Sequence, residues 1–307
     1  MGLLIDGQWH QEDYRRDAQG GFVRDDTLFH GQVRSEGPFL PEAGRYHLYV
    51  GLACPWAHRT LIMRALRGLE EAIPVTAVDP WMGPDGWFFS ENEPDPVLGA
   101  RFLRDVYTAA VPGYTGRVTV PLLWDRRTGT IVNNESRQIM RMLDHDFASL
   151  ATREGDYCPP DLRDRVEETL DAIYQPINNG VYRAGFAFTQ EAHEAAIDTL
   201  FAALEHWEGV LAGQRFLCGD RLTEADIALF TTLFRFDPVY HVHFKCNRKR
   251  LVDMPDLCRF AREIYGMPGV AETCRLDHIK QHYYRSHPFL NPRGLVPVGP
   301  DRDFRDC

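Results

Sequence analysis

With 307 residues, 44% of them hydrophobic and 25% charged, the chain is long enough for two ordinary domains with real cores. A net charge of −10 disfavours non-specific binding to nucleic acid or anionic membrane, and the short basic cluster Lys245, Arg248, Lys249 and Arg250 reads as a solvated helix end. The seven cysteines lack paired spacing, which argues against a disulfide framework and for a reduced, cytoplasmic protein.

The first residues carry neither a basic region nor a long apolar core, so no secretory signal is expected. Asp6 stands where a myristoylation motif needs Ser or Thr, and no apolar run approaches a membrane span. Residues 1–44 are rich in Gly, Asp and Arg, and read as an irregular extension lying over the first domain and covering its site. From Arg45 the patterns predict a strand over 46–50, a helix over 60–69 and a strand over 75–78. A long Pro/Gly-rich insertion follows, then a strand over 120–124, a turn at Thr128-Gly129, a strand over 130–132 and a helix over 135–143. This βαβ-ββα order is the thioredoxin-like arrangement.

Beyond Phe147 the pattern turns helical, with apolar spacing over 162–173, 190–211, 223–234 and 254–265. Thr223-Glu224-Ala225-Asp226 has the form of a capping box and marks a helix start. The expected organisation is an extension over 1–44, a thioredoxin-like domain over 45–147, a linker over 148–162, a helical domain over 163–288 and an irregular tail over 289–307.

Cys54 carries the chemistry. It begins Cys54-Pro55-Trp56-Ala57 at the junction of the first strand and helix, and Pro55 suits the first helical position. There the unpaired N–H groups and the positive end of the dipole favour a thiolate and can bring a thiol pKa from about 8.5 to roughly 3.5–7.5. Dithiol oxidoreductases read Cys-x-x-Cys, whereas Ala57 fills the position of the resolving thiol. A mixed disulfide on Cys54 therefore needs an external thiol to release it, and glutathione is the obvious soluble one. His58, one turn on, could support the thiolate or sit on the helix surface. His278, His282 and His287, with His241 and His243 upstream, lack the acidic or cysteine partners of a metal set, and no metal is expected.

Several segments together give a resemblance: Gly51-Leu52-Ala53-Cys54-Pro55-Trp56-Ala57-His58-Arg59, Gly116 to Pro121, Asn133-Asn134-Glu135-Ser136, Asn178 to Ala187, Leu222 to Asp226, and His282-Tyr283-Tyr284-Arg285-Ser286-His287 leading into Asn291-Pro292. In that order, and over nearly the whole chain, the sequence resembles the glutathione transferase superfamily and, within it, the glutathionyl-hydroquinone reductases of the Xi class. The Val-Pro pair, the Glu-Ser pair and the capping box occur across the superfamily. The Asn-Asn-Gly-Val-Tyr segment, the His-Tyr-Tyr segment and the Cys-Pro-Trp-Ala run are narrower.

The resemblance implies a thioredoxin-like domain followed by a helical bundle, a homodimer, no permanently bound cofactor, and glutathione as co-substrate. Val120, before a cis-proline at Pro121, would pair through its backbone with the glutathione peptide. Glu135 and Ser136 would hold the γ-glutamyl end or simply cap a helix. Arg117 could reach the glycine carboxylate or a mixed-disulfide intermediate, or be an ordinary surface arginine, and Trp87, in the Pro/Gly-rich insertion, could stack on the peptide or on an aromatic substrate, or plug the loop. The resemblance assigns Tyr182 and Tyr283 to an aromatic hydroquinone conjugate, where a phenol offers both a hydrogen bond and a flat face; adjacent Tyr284 is an alternative, and any of the three could be a packed core residue. The implied activity is reduction of S-glutathionyl hydroquinones through a Cys54–glutathione disulfide. The alternatives are a general omega-like thioltransferase or dehydroascorbate reductase and, from another class, a non-catalytic binding protein on the same fold.

Overall fold

The computed structural model describes residues 2–300 and Phe304. The parts of the expected tail at 301–303 and 305–307 lie outside the described residues. In chain order the strands are β1 (Gly2–Ile5), β2 (Gln8–Gln11), β3 (Arg15–Arg16), β4 (Phe22–Val23), β5 (Tyr46–Val50), β6 (Val75–Ala77), β7 (Leu122–Asp125) and β8 (Thr130–Asn133). The α-helices are α1 (Pro55–Leu66), α2 (Leu103–Ala110), α3 (Ser136–Arg141), α4 (Arg163–Ile173), α5 (Gly180–Gly185), α6 (Gln190–Leu211), α7 (Glu224–Leu233), α8 (Pro255–Tyr265) and α9 (Leu276–Ser286).

The chain divides into two compact units. One comprises the residues up to Tyr14, Asp25–Gly155 and Arg275–Ser286; the other comprises Arg15–Arg24, Asp156–Cys274 and the described residues from His287 onward. No helix among the described residues is long and apolar enough to cross a membrane.

The first unit is built on a four-stranded sheet in the order β6-β5-β7-β8. β5 runs parallel to β6 and antiparallel to β7, and β7 and β8 form a hairpin. Every residue of β5 and β7 is buried, and Leu48 lies in register with Val75 on one side and Leu123 on the other. α1 crosses over from β5 to β6, which is the right place for a helix joining parallel strands. Arg45, just before β5, donates to both carboxylate oxygens of Asp125 at 2.9 and 2.7 Å and fastens the start of β5 to the end of β7. Burial is the largest influence on the Asp125 carboxyl and works to raise it, but the hydrogen bonds from Arg45, the Thr128 hydroxyl and the Arg127 N–H, with the Arg45 charge, together outweigh it and hold the group below its ordinary value.

Three departures from the sequence patterns concern this unit. The extension is not wholly irregular. β1 and β2 form a hairpin across Asp6-Gly7, both at positive φ, and β3 and β4 pair in the second unit. Asp-Gly is a two-residue hairpin signal, but Gly2-Leu3-Leu4-Ile5 beside it does not alternate apolar with polar residues, so no strand stands out. Next, α1 begins at Pro55, where the Cys54-Pro55 pair placed the first helical position, and so runs five residues ahead of the apolar pattern that starts at 60. Finally, α9 is grouped with the sheet and not with the helical domain predicted over 163–288. Its side chains hydrogen-bond to the segment after β6: His282 Nδ1 lies 2.9 Å from the Pro80 carbonyl, and the Met82 N–H donates to Ser286 Oγ at 2.9 Å.

The second unit is helical. α6 buries Ala196, Ile197, Leu200, Phe201, Leu204, Trp207 and Leu211 along one stripe, and the Thr189 hydroxyl accepts from the Ala192 N–H at its start. α7 is buried along its whole length. Among the described residues Cys54, Cys158, Cys218, Cys246 and Cys274 are free thiols.

The capping box forms as its sequence predicts. The Asp226 carboxylate accepts from the Thr223 N–H at 2.7 Å and its hydroxyl at 2.8 Å, and its other oxygen accepts from the Leu217 N–H at 2.7 Å. Burial raises the Asp226 carboxyl from its ordinary value to about 6, against the pull of those donors. Its contribution to stability is therefore full below the ordinary carboxyl pKa of about 3.9 and is lost as pH rises through about 6. Asp226→Asn, which keeps an acceptor oxygen, is expected to flatten that part of the pH–stability curve. Asp226→Ala strands two buried N–H groups and is expected to cost about 3 kcal/mol at neutral pH in urea denaturation.

Candidate active site around Cys54

Cys54 sits where β5 gives way to α1. Its N–H donates to the Gly51 carbonyl at 2.9 Å, and its carbonyl accepts from the His58 N–H at 3.0 Å as the first bond of the helix. With φ −75° and ψ 124° the residue is still extended, so it is the N-cap, and Pro55 follows at the first helical position. The thiol is only partly buried. Its Sγ points at the Val120 carbonyl oxygen, 3.5 Å away. Gly51 keeps this corner open, because a Cβ there would stand 3.3 Å from Val120 Cγ2 and 3.7 Å from Cys54 Cβ. His58 is fully buried and is not the surface helix histidine that the sequence left open.

Val120 precedes Pro121 across a cis peptide bond, as the sequence predicted. A buried network that the sequence did not reveal fixes the approach to it. The Tyr107 hydroxyl donates to the Thr119 carbonyl at 2.8 Å and accepts from the Thr119 N–H and the Asn134 side-chain amide, each at 3.2 Å. Burial pushes the Tyr107 phenol up, so it stays protonated as a donor. The same network ties the Val120 segment to the start of α3. There Asn133 Oδ1 accepts from the Glu135 N–H at 2.7 Å.

Glu135 is the N-cap of α3. One carboxylate oxygen accepts from the Arg137 N–H at 3.1 Å and the Ser136 hydroxyl at 3.4 Å, and the other accepts from the Thr27 hydroxyl at 3.3 Å. The capping alternative is thus present in the structure, although a carboxylate has lone pairs enough to serve a ligand ammonium as well. Ser136 is buried.

Arg117 is committed to the N-terminal segment. Its guanidinium donates to the Asp25 carboxylate at 3.2 Å and to the carbonyls of Gly2, Glu12 and Asp13 at 3.2, 3.4 and 3.0 Å. Trp87 is 9% exposed and stacks on His282, with ring centroids 4.8 Å apart and planes 22° from parallel. Tyr283 and Tyr284 lie in the same unit and are 1% and 4% exposed. Burial pushes the Tyr284 phenol up to about 12.

Tyr182 belongs to the other unit, on α5. Its ring meets Phe186, Tyr240 and Phe244 at centroid distances of 5.8, 6.0 and 5.5 Å, and the Arg24 guanidinium lies 4.8 Å from its centroid. Arg24 Nε also donates to Asn179 Oδ1 at 2.9 Å, so the N-terminal extension orders the ring's neighbourhood. Nothing in the local sequence could have found Arg24, because its partners lie more than a hundred residues away.

A thioredoxin-like unit with a partly buried thiol at the head of α1, turned toward the carbonyl of a Val-Pro pair, is the arrangement expected of the glutathione transferase class. The family models for the glutathione S-transferase N-terminal and C-terminal domains match residues 53–146 and 190–260. Glutathionyl-hydroquinone reductase PcpF of Sphingobium chlorophenolicum is 51% identical over 98% of this chain and 96% of its own length. A Xi-class glutathione transferase from Natrialba magadii superposes with a TM-score of 0.94 at 50% identity, over 99% of this chain and 94% of that one. The glutathione-bound structure of YqjG from Escherichia coli superposes with a TM-score of 0.88 at 48% identity, over 98% and 96%. The chain belongs to the glutathione S-transferase family, in its Xi class.

Because Arg117 clamps three backbone carbonyls of the first hairpin and its flank, Arg117→Ala is expected to release that segment. Limited proteolysis should then cut within residues 2–16 at least about tenfold faster than in the parent protein, since local opening tracks lost contacts.

Proposed function

We propose that this protein reduces S-glutathionyl hydroquinones to hydroquinones, with glutathione as co-substrate. The observation that carries the reading is the lone Cys54 thiol at the N-cap of α1, 3.5 Å from the Val120 carbonyl and with Ala57 where a resolving thiol would stand. The likeness to a named glutathionyl-hydroquinone reductase at 51% identity supports the substrate class, and the glutathione-bound relative supports the co-substrate.

In this reading the peptide of glutathione adds along Val120, whose carbonyl accepts from it, and the γ-glutamyl end meets Glu135 and Ser136 at the head of α3. A peptide N–H on the Val120 carbonyl takes that acceptor away from the thiol and leaves Cys54 to the helix N-terminus, which favours the thiolate. Trp87 offers an aromatic wall, while Tyr182 and Tyr283, with Tyr284 as the alternative, meet the aromatic ring.

The thiolate attacks the glutathionyl sulfur, forming the Cys54–glutathione disulfide and breaking the sulfur–ring bond. The electron pair of that bond stays on the ring carbon, which takes up a proton that Tyr182 or Tyr283 helps to deliver. A second glutathione thiolate then attacks the glutathionyl sulfur, releasing oxidised glutathione and restoring Cys54. In sum, two glutathione sulfurs are oxidised to a disulfide and one carbon–sulfur bond is reduced to carbon–hydrogen. The protein is, on this reading, a cytoplasmic homodimer without a resident cofactor.

Cys54→Ser should lower kcat on a glutathionyl hydroquinone by at least about a thousandfold, as expected when a covalent nucleophile is removed. Substantial turnover by the variant would refute the mechanism. Tyr182→Phe combined with Tyr283→Phe should cost about a hundredfold on that substrate and spare a small mixed disulfide; equal losses on both would favour a general thioltransferase.

A further inference from the structure

His282 opens the His-Tyr-Tyr segment, yet the proposed chemistry gives it no part. Its ring stacks on Trp87 at 4.8 Å and meets Tyr283 edge-on at 5.2 Å, so one imidazole stands between the two aromatic side chains. The Pro80 carbonyl, 2.9 Å from Nδ1, can only accept, so Nδ1 carries a proton and donates it. One turn on, Ser286 Oγ accepts from the Met82 N–H at 2.9 Å and lies 3.4 Å from His282 Nδ1. His282 and Ser286 share a face of α9 by their spacing, and each is 8% exposed.

The segment held by this clasp is the one that carries Trp87. It is also held by backbone bonds at its root, where the Asp79 N–H donates to the Phe88 carbonyl and the Leu103 N–H donates to the Trp87 carbonyl, and by side chains further along, where Trp9 Nε1 donates to the Pro84 carbonyl at 3.0 Å and Arg104 donates to the Asp85 carbonyl at 2.6 Å. Those bonds fix the backbone at Trp87 but leave the orientation of its indole to whatever packs on the ring, and His282 packs on it. The same imidazole packs on Tyr283, its neighbour in α9.

We propose that His282 is a positioning residue for this reaction, setting the indole of Trp87 and the ring of Tyr283 relative to one another. The inference rests on the reading above, in which Trp87 faces glutathione and Tyr283 faces the hydroquinone. His282 needs no contact with either reactant. A shift of about an ångström in a group that orients substrate can cost about a hundredfold in rate.

The test compares His282→Ala, which removes both the stack and the hydrogen bond, with His282→Phe, which restores a flat ring on Trp87 but not the donor to Pro80. In His282→Ala the KM for glutathione and for the glutathionyl hydroquinone should rise by about tenfold or more, and the Kd for glutathione in a calorimeter should rise with them. Alkylation of Cys54 by iodoacetamide should keep the parent rate. His282→Phe should recover most of the KM. A kcat that falls only with the folded fraction while KM stays at the parent value would overturn the proposal, as would unchanged constants in His282→Ala. The parent enzyme separates the two readings. If it binds glutathione but does not turn over the conjugate, the proposed substrate fails, and the glutathione Kd of the His282 variants still decides for or against the positioning of Trp87. If the parent binds no glutathione, both readings fall.

Discussion

The contact between the Cys54 thiol and the Val120 carbonyl, 3.5 Å long, is the constraint around which the first unit is organised. It joins two pieces of chain that the antiparallel pairing of β5 with β7 brings side by side, since Tyr49 at the end of β5 lies in register with Leu122 at the start of β7. One is the corner after β5, where Cys54 caps α1. The other is the turn before β7, where Val120 precedes a cis-proline. Each piece is fixed by its own buried polar bonds: Cys54 N–H to Gly51 on one side, and the Tyr107, Thr119 and Asn134 network on the other. Buried polar groups that are fully paired rigidify the backbone around them, and a nucleophile at a helix N-cap gains from such rigidity because its orientation is part of its reactivity.

The chemistry follows from what the corner contains and what it lacks. A thiol beside a helix N-terminus can attack sulfur, and without a second cysteine at position 57 the product of that attack persists until an outside thiol arrives. A backbone carbonyl beside the thiol and a capped helix head at Glu135 suit a small peptide better than a bare disulfide, and this separates a glutathione-dependent enzyme from a simple reductant.

Much of this was legible in the residues. Cys54-Pro55 announced a helix start, Thr223 to Asp226 announced a capping box, and the strand and helix order announced the thioredoxin-like unit; each rests on interactions within a few residues of chain. What stayed hidden depends on partners far apart in sequence. Arg24 reaches Tyr182 and Asn179, α9 returns to the segment after β6 some two hundred residues earlier, and Tyr107 links Thr119 to Asn134. Arg117 shows the limit from the other side: its type and place suggest a carboxylate ligand, yet its donors meet the N-terminal segment. The β1–β2 hairpin was hidden because Gly2-Leu3-Leu4-Ile5 does not alternate apolar with polar residues and so shows no period of two.

The most direct measurement of the central claim is mass spectrometry of the intact protein after a single incubation with a glutathionyl hydroquinone and no free glutathione. One glutathionyl group should appear, map to Cys54 after digestion, accompany release of an equal amount of hydroquinone, and vanish when glutathione is added. Hydroquinone released with no adduct, or an adduct that maps to another cysteine, would contradict the account.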